Sequence, residues 1–258
     1  MGKIIRDPES ASKRSYDLII IGGGIYGVML AYEASKRRLK TLLLEKNDFG
    51  GATSFNCLRI LHGGFRYLQN MDFYRFRESV IERKWFLKNF SGLIKPLPCL
   101  MPLYGDGLRR PSVLRVAACI NDILSFKRNN GVGDENHLPG SKVIGPEETK
   151  QVFPDVDDSG LKGGVVWYDA FMPDPQIVLM EILKKSCNHG CNALNYVEAQ
   201  KVIKINNHVS GIIALDTEND QTYEYNSNVI INAAGPWCRK LAADFDKDFP
   251  KLFVSSLA

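Results

Sequence analysis

Three glycines and one acidic residue have the types and the spacing needed to bind a dinucleotide. Gly22, Gly24 and Gly27 form the pattern G-x-G-x-x-G, and Glu45 follows Gly27 by eighteen residues. Gly22 permits a tight turn, Gly24 lets the backbone approach a pyrophosphate, and Gly27 lets a helix pack closely on a strand. The acidic side chain is then placed to accept hydrogen bonds from ribose hydroxyls. This spacing predicts a dinucleotide site.

The segments around these residues have the hydrophobic patterns that such a site requires. Leu18–Ile21 and Thr41–Leu44 are short apolar runs of the kind found in buried strands, and Val28–Lys36 between them is predicted to be helical. The N-terminus of this helix offers free N–H groups and a partial positive charge to phosphates. The sequence therefore predicts an α/β chain with a Rossmann-like dinucleotide-binding domain.

The residues after Glu45 bear on the choice between NAD and FAD, which share the same ADP half. A nicotinamide-binding domain usually turns into another helix and strand soon after the acid, whereas residues 46–67 contain paired glycines and several hydroxyl groups. Such a segment can lie along an extended cofactor and donate hydrogen bonds from its backbone and from Thr53 and Ser54.

Several blocks of the sequence resemble the FAD-dependent glycerol-3-phosphate dehydrogenases and oxidases, within the D-amino-acid-oxidase-like flavoproteins. The blocks are Asp17–Glu45, Ala52–Ser54, Leu61–Leu68 and Val229–Trp237, so the resemblance spans roughly residues 16–240. It implies non-covalently bound FAD and a β-meander before the strand that re-enters the cofactor sheet. The residues that we predict to bind the cofactor are Gly22, Gly24, Gly27, Glu45, Lys46, Thr53, Ser54, Gly63, Gly64, Val202, Ala234 and Gly235.

His62, Arg66 and Tyr67 are the predicted catalytic residues, because the resemblance implies that the matching positions lie at the substrate face of the flavin. A histidine can take the hydroxyl proton when hydride leaves a secondary alcohol carbon. An arginine can hold a phosphate or carboxylate through two hydrogen bonds, and a tyrosine can donate to the substrate oxygen. Gly63 and Gly64 remove side chains beside His62, which suits packing against a flat ring. Without this context, a histidine after an apolar pair is more often structural.

Composition fits a cytoplasmic α/β enzyme. The chain has 258 residues, of which 45% are hydrophobic and 24% charged, as in ordinary globular proteins. No run approaches the roughly 20 apolar residues of a membrane span. The six cysteines form no C-x-x-C pair, so we expect reduced thiols and no metal site.

The charge is unevenly distributed. Residues 1–130 have 22 Lys/Arg and 11 Asp/Glu, whereas residues 131–258 have 11 and 18. No nucleic-acid motif accompanies the basic half, so we expect an anionic small substrate or an anionic lipid surface as the partner, or simply a solvated basic face. Val113–Phe126, flanked by Arg109, Arg110, Lys127 and Arg128, is predicted either to be a core helix or to lie peripherally on the inner face of the membrane.

Further elements follow from periodicity and turn residues. Leu68–Phe90 is predicted to be an amphipathic helix, and Pro96, Pro98 and Pro102 are predicted to break regular structure and mark a change of domain. The other predicted helices are Pro146–Pro154 and Pro175–Cys187, and the other predicted strands are Gly163–Tyr168, Ala193–Ala199, Lys201–Ile205, Val209–Leu215, Tyr223–Tyr225 and Val229–Ala233.

These elements predict a divided domain organisation. Residues 1–15 form a disordered lead-in, 16–95 and 166–242 form the FAD-binding domain, and 96–165 belong to an α+β substrate domain. The chain stops soon after the second flavin strand, so we expect residues 243–258 to begin a truncated continuation of the substrate domain. The resemblance therefore implies the N-terminal portion of a longer enzyme, with its substrate domain incomplete.

The resemblance implies oxidation of an anionic alcohol, with sn-glycerol 3-phosphate to dihydroxyacetone phosphate as the best single reaction. Hydride would pass to FAD, and a quinone or oxygen would reoxidise the flavin. Gln176 stands where the dehydrogenases commonly have arginine, which weakens this choice of substrate. One alternative is oxidation of an amine, an amino acid or a 2-hydroxy acid. An alternative of another class is a non-catalytic remnant that binds only the dinucleotide.

Overall fold

The structure is a computed structural model that describes residues 3–105, 107 and 110–245. Its strands are β1 (Ser15–Tyr16), β2 (Leu18–Ile21), β3 (Thr41–Leu44), β4 (Ile60–Leu61), β5 (Lys95–Leu103), β6 (Lys142–Ile144), β7 (Gly163–Phe171), β8 (Asn192–Leu194), β9 (Val197–Ile205), β10 (His208–Asp216), β11 (Gln221–Ser227) and β12 (Ile230–Asn232). Its helices are α1 (Pro8–Ser12), α2 (Ile25–Lys36), α3 (Phe73–Asn89), α4 (Pro111–Leu124), α5 (Pro146–Val152), α6 (Pro175–Asn188) and α7 (Cys238–Phe245).

The described residues form two compact units. One contains the chain up to Cys57 and from Pro175 onward, and the other contains Leu58–Asp174. The divisions therefore fall at other positions than the predicted 95/96 and 165/166, because β4, α3 and the whole of β7 belong to the second unit. Of the continuation predicted over residues 243–258, the part from position 246 onward lies outside the described residues, as does Arg109.

A parallel sheet forms the centre of the first unit, with strand order β12-β2-β3-β8. The predicted strands β2 and β3 are confirmed, and all of their residues are buried. Helix α2 packs on these strands and on α6. On the other face of the sheet, alternate residues of the strands, including Ile19 and Leu42, form a hydrophobic cluster with Ile212 and Tyr225 of the meander. Both faces of the sheet are thus covered, which explains its continuous apolar strands.

A second, mainly antiparallel sheet of the same unit has the order β1-β11-β10-β9, in which β1 is parallel to β11. The antiparallel strands β9, β10 and β11 form the predicted β-meander. The strand boundaries differ from the prediction. The sequence predicts two strands, Ala193–Ala199 and Lys201–Ile205. In the structure the break between strands lies instead at Asn195 and Tyr196, between β8 and β9. Tyr196 has a positive φ of 55°, so the chain turns there and β9 continues without interruption to Ile205.

The expectation of a disordered lead-in is wrong for the described residues of that stretch. Asp7 accepts a hydrogen bond from the backbone of Ser10 and caps α1, and Pro8 occupies its first turn. Ala11 is buried, and so is Tyr16, which follows the stretch. Arg6 donates to the fully buried carboxylate of Asp216 in β10. These contacts give the segment enough buried surface and charge pairing to remain ordered.

The second unit contains a sheet in which β7 pairs with β4 and β6 on one side and with β5 on the other. The prediction that Pro96, Pro98 and Pro102 break regular structure is wrong, because all three lie within β5. Their even spacing places their nitrogens on the same side of an edge strand, away from β7, where no N–H is needed. Helix α3 begins at Phe73 rather than at Leu68, because Met71 has a left-handed conformation and Asp72 caps the helix.

We predict that Arg6→Gln lowers the free energy of unfolding by about 2 kcal/mol. Breaking a buried ion pair from one side costs about 3–5 kcal/mol, and the Arg6 side chain remains 25% exposed, which reduces the loss. Urea unfolding followed by circular dichroism measures the change. Lys13→Gln is the control, because it removes an exposed ion pair between Lys13 and Glu9 of α1. The loss of this pair should change nothing measurable. An equal stability for Arg6→Gln and the unchanged chain would contradict an ordered lead-in.

Candidate functional site

The glycine-rich turn joins β2 to α2 through two close backbone approaches. Gly22 has a φ of 110°, and a Cβ there would lie 2.5 Å from the carbonyl oxygen of Ala233. A Cβ at Gly27 would lie 1.8 Å from the carbonyl oxygen of Gly22. Real Cβ atoms do not approach backbone oxygens so closely. These two glycines therefore permit the predicted turn and the predicted packing of helix on strand.

Gly24 differs from its two neighbours in the motif because the space beside it is open. Its φ is −74°, which any residue can adopt, and a Cβ there would meet only the hydroxyl of Ser54, at 3.1 Å. Ser54 accepts a hydrogen bond from the backbone N–H of Ile25, the first residue of α2. Thr53 beside it is exposed. The helix N-terminus thus has room for a phosphate group, and hydroxyls stand beside it.

Glu45 follows β3 and holds the glycine-rich turn from the adjacent strand. One oxygen of its carboxylate accepts from the N–H of Gly23 at 2.7 Å, and the other accepts from the N–H of Asn47 at 2.8 Å. Each carboxylate oxygen can accept more than one hydrogen bond, so the side chain can still bind ribose hydroxyls. The ammonium of Lys46 lies 5.2 Å from the ring centroid of Trp237, a cation–π contact.

The other predicted cofactor residues of this unit lie at two places. Ala234 and Gly235 follow β12, which is parallel to β2, so they lie at the same edge of the sheet as Gly22. Gly235 has a φ of 54°, and a Cβ there would have no atom within 4 Å. Val202 instead lies in the antiparallel sheet, where it is half-buried and pairs with Ile212. The carboxyl end of a parallel sheet is where such folds bind their ligands.

The three predicted catalytic residues lie together in the second unit, on a short segment between β4 and α3. His62 is exposed, and its ring meets the edge of the Tyr67 ring at a centroid distance of 5.9 Å. Arg66 is also exposed, and it lies with Tyr67 in a 3₁₀ turn over Phe65–Asn70. The segment thus presents an imidazole, a guanidinium and a phenol from neighbouring positions.

Gly63 and Gly64 have structural requirements that the sequence did not reveal. A Cβ at Gly63 would lie 2.0 Å from the guanidinium of Arg83, and Gly64 has a φ of 81° and closely approaches α3 at Phe76. The Gly63 N–H donates to Asp169 at 2.6 Å. Both glycines are therefore explained within this unit, and their predicted contact with the flavin remains a prediction.

Arg83 and Asp169 form a buried ion pair that the sequence reasoning missed. Their charged groups are 2.8 Å apart, and both residues are buried. Burial lowers the pKa of Arg83, and the adjacent carboxylate of Asp169 opposes this shift. A signal was present in the sequence, because Arg83 lies on the apolar stripe of α3 between Val80 and Leu87. A charged residue at a buried helix position requires a buried partner.

Comparison with known proteins identifies what this chain is similar to. Residues 17–256 match the family model described as FAD dependent oxidoreductase. The chain is 34% identical over 226 residues to a glycerol-3-phosphate dehydrogenase of Synechocystis, covering 86% of this chain and 39% of that protein. It is 32% identical over 225 residues to an alpha-glycerophosphate oxidase of Lactococcus lactis, covering 87% and 36%.

A similar fold occurs in the structure of the glycerol-3-phosphate dehydrogenase from Bacillus halodurans complexed with FAD. The TM-score is 0.67 and the sequence identity 24%, over 92% of this chain and 38% of that one. The chain thus spans about two fifths of the length of the relatives that it matches.

We predict that Gly24→Ala weakens FAD binding at least about tenfold, or about 1.4 kcal/mol, without unfolding the chain. The added methyl group would occupy the open space beside the helix N-terminus, and only the movable hydroxyl of Ser54 is near it. Gly27→Ala should prevent folding, because its methyl group would overlap a backbone oxygen. A flavin fluorescence titration measures binding, and circular dichroism reports folding.

Gly92→Ala is the matched control for both variants, since a Cβ there would meet no atom within 4 Å. It should leave folding and FAD affinity unchanged. Unchanged affinity in a folded Gly24→Ala variant would show that the pyrophosphate binds elsewhere.

Proposed function

The chain belongs to the family of FAD-dependent oxidoreductases, and we propose that it takes part in the oxidation of sn-glycerol 3-phosphate to dihydroxyacetone phosphate. The observation that carries this proposal is its similarity, at 34% and 32% identity, to a dehydrogenase and an oxidase named for glycerol phosphates. Because the chain spans about two fifths of their length, the activity of the whole protein is part of the proposal.

The residues of the first unit fit the cofactor of the family. The open space beside Gly24 and Gly235, the N-terminus of α2 and the carboxylate of Glu45 suit a pyrophosphate and a ribose. We propose that these groups bind FAD non-covalently, together with the other predicted residues, which are Gly22, Gly27, Lys46, Thr53, Ser54, Gly63, Gly64, Val202 and Ala234. When bound, FAD supplies an acceptor for two electrons in the form of hydride.

We propose that His62, Arg66 and Tyr67 act on the substrate. His62 accepts the proton of the secondary hydroxyl, because a neutral imidazole is a suitable base near neutral pH. Arg66 holds the phosphate through paired charge-assisted hydrogen bonds, which fixes the reacting carbon. Tyr67, whose ring contacts the ring of His62, donates a hydrogen bond to the substrate oxygen. The exposure of His62 and Arg66 leaves both side chains accessible.

Two alternatives make different predictions for the bound flavin. An amine, an amino acid or a 2-hydroxy acid as substrate keeps the flavin chemistry and changes the group that Arg66 or its neighbours must hold. A non-catalytic remnant would bind FAD and reduce it with none of these compounds. Whether the substrate is glycerol 3-phosphate or one of these other compounds, a quinone or oxygen would reoxidise the flavin.

A chimaera tests the reaction. Residues 17–256 would replace the matching segment of the Synechocystis dehydrogenase, which supplies the rest of the relatives' length. We expect sn-glycerol 3-phosphate to bleach its flavin under anaerobic conditions. His62→Ala should lower kcat by roughly 10²- to 10⁴-fold, the usual contribution of a positioned general base. Arg66→Ala should act mainly on kcat/KM for anionic substrates, because it removes a charge-assisted bond.

The outcomes distinguish the alternatives. Bleaching by amino acids or 2-hydroxy acids but not by glycerol 3-phosphate would contradict the substrate. A flavin that none of these compounds bleaches would favour the remnant. If Arg66→Ala lost equal activity toward charged and uncharged alcohols, its proposed anion-binding role would be wrong. The 258-residue chain alone should show little or no turnover.

None of the described helices is long and apolar enough to span a bilayer. We propose instead that α4 lies on the surface of an anionic membrane, at its cytoplasmic face. The helix buries only Leu114 and Ala118 of its apolar side chains, and a second apolar stripe points outward. The exposed residues of this stripe and of the turn after it are Val116, Ile120, Ile123, Leu124 and Phe126. Arg115 and Lys127, exposed beside them, would meet anionic headgroups.

We predict that the chain co-sediments with phosphatidylglycerol-containing vesicles and that added salt weakens this binding. Ile123→Glu should reduce binding at least about tenfold, because burying one such side chain contributes about 1.5–3 kcal/mol. Ile205→Glu is the matched control, since Ile205 is similarly exposed, at 62%, but lies on β9. Sedimentation that is independent of anionic lipid, of salt and of Ile123 would show that the stripe has another role.

A further inference from the structure

The buried carboxylate of Asp169 contacts the segment that contains His62 and Arg66. Asp169 is 6% exposed and lies in β7. Its Oδ1 atom accepts from the backbone N–H of Gly63 at 2.6 Å, and its Oδ2 atom accepts from the indole Nε1–H of Trp167 at 3.1 Å. One oxygen therefore binds the segment directly, and the other binds an aromatic side chain.

That aromatic side chain reaches the other end of the same segment. The ring of Trp167 stacks on the ring of Phe65 at a centroid distance of 5.1 Å and an angle of 10°. Gly63 follows His62 in the chain, and Phe65 precedes Arg66. The two oxygens of one buried carboxylate thus restrain the backbone beside His62 and, through Trp167, the residue beside Arg66.

Arg83 holds this carboxylate in place. Its Nη1 atom donates to Oδ1 of Asp169 at 2.8 Å and to the carbonyl oxygen of Tyr168 at 2.6 Å. The guanidinium also fills the space beside Gly63 that a side chain would otherwise take. Without Arg83, Asp169 would be a buried carboxylate with no counter-ion among the described residues, and an unpaired buried charge is costly.

We propose that Asp169, held by Arg83, is the positioning residue that fixes His62 and Arg66 relative to each other. The proposal rests on the function proposed above for the roles of those two side chains. A base and an anion ligand act on one substrate only when their separation is fixed, and a displacement of about 1 Å can cost about 10²-fold in rate. The buried carboxylate supplies this constraint from a position that does not itself contact the substrate.

The geometry explains why asparagine cannot replace Asp169. Both oxygens accept hydrogen bonds, so the site needs two acceptors on one side chain. An amide has a single acceptor oxygen and an NH₂ group that only donates. If the amide oxygen of the asparagine kept the hydrogen bonds from Gly63 and Arg83, its NH₂ group would face the N–H group of Trp167, and two donors would meet. Asp169→Asn must therefore release one end of the segment.

Magnetic resonance on the full chain tests this proposal without cofactor or substrate. The chain has three tryptophans and four histidines, so single substitutions assign their indole N–H and imidazole signals. We expect Asp169→Asn to shift the indole signal of Trp167 if the amide oxygen stays with Gly63. If the oxygen turns to Trp167 instead, we expect the His62 signal to shift and the amide exchange of Gly63 to speed up at least about tenfold. Asp122→Asn is the matched control, because it breaks the Arg128 ion pair of the same unit and should leave these signals unchanged.

A second variant covers the case in which Asp169→Asn does not fold. Trp167→Phe keeps an aromatic ring against Phe65 but removes the N–H group that Asp169 accepts. It should shift the backbone signals of Phe65 and Arg66 and leave the exchange of Gly63 slow. Unchanged signals of His62, Phe65 and Arg66 in both folded variants would overturn the positioning role. A failure of glycerol 3-phosphate to bleach the chimaera would instead contradict the proposed function and leave these spectra unaffected.

Discussion

The close approach of α2 to the end of β2 is the constraint on which the first unit depends. There is no room for a side chain at Gly27, because the backbone oxygen of Gly22 occupies its place, and none at Gly22, because Ala233 lies against it. These contacts bring together the ends of two parallel strands and the start of one helix. Beside Gly24, where we propose that the phosphates approach, the space is open instead. The same packing that stabilises the sheet therefore also shapes the proposed cofactor site.

The second unit holds the segment that contains His62, Arg66 and Tyr67 by a different means. His62 and the two glycines after it belong to neither a strand nor an α-helix, so ladder hydrogen bonds cannot fix their backbone. A buried ion pair and an aromatic stack replace them, with Asp169 accepting from Gly63 and from Trp167. Burying charges is costly unless both are paired and hydrogen-bonded. Asp169 meets this condition through Arg83 and two further donors, whereas the Nε atom of Arg83 is buried without a hydrogen-bond partner.

Sequence reasoning succeeded where local patterns determine structure. The β2–α2–β3 segment follows from apolar runs and glycine spacing, and the individual strands of the meander follow from apolar periodicity and turn residues, all of which act over a few residues. The meander itself was implied by the family resemblance. Sequence reasoning failed where distant residues decide the outcome. The order of the lead-in depends on Arg6 meeting Asp216, far along the chain, and the prolines of β5 are tolerated only because that strand is at an edge. Arg83 was missed because its partner lies in another element, although its position on an apolar stripe was visible.

The structure shows what the side chain at position 176 contacts, which bears on the choice of substrate. The sequence has glutamine where the resembling dehydrogenases commonly have arginine, which weakened the choice of glycerol 3-phosphate. In the structure, the amide of Gln176 donates to the backbone oxygen of Phe49, and its Oε1 atom lies against Gly50. Its side chain therefore stabilises the loop after Glu45. Because Gln176 binds the protein's own backbone, our proposal assigns the binding of a substrate anion to Arg66, whose side chain is exposed.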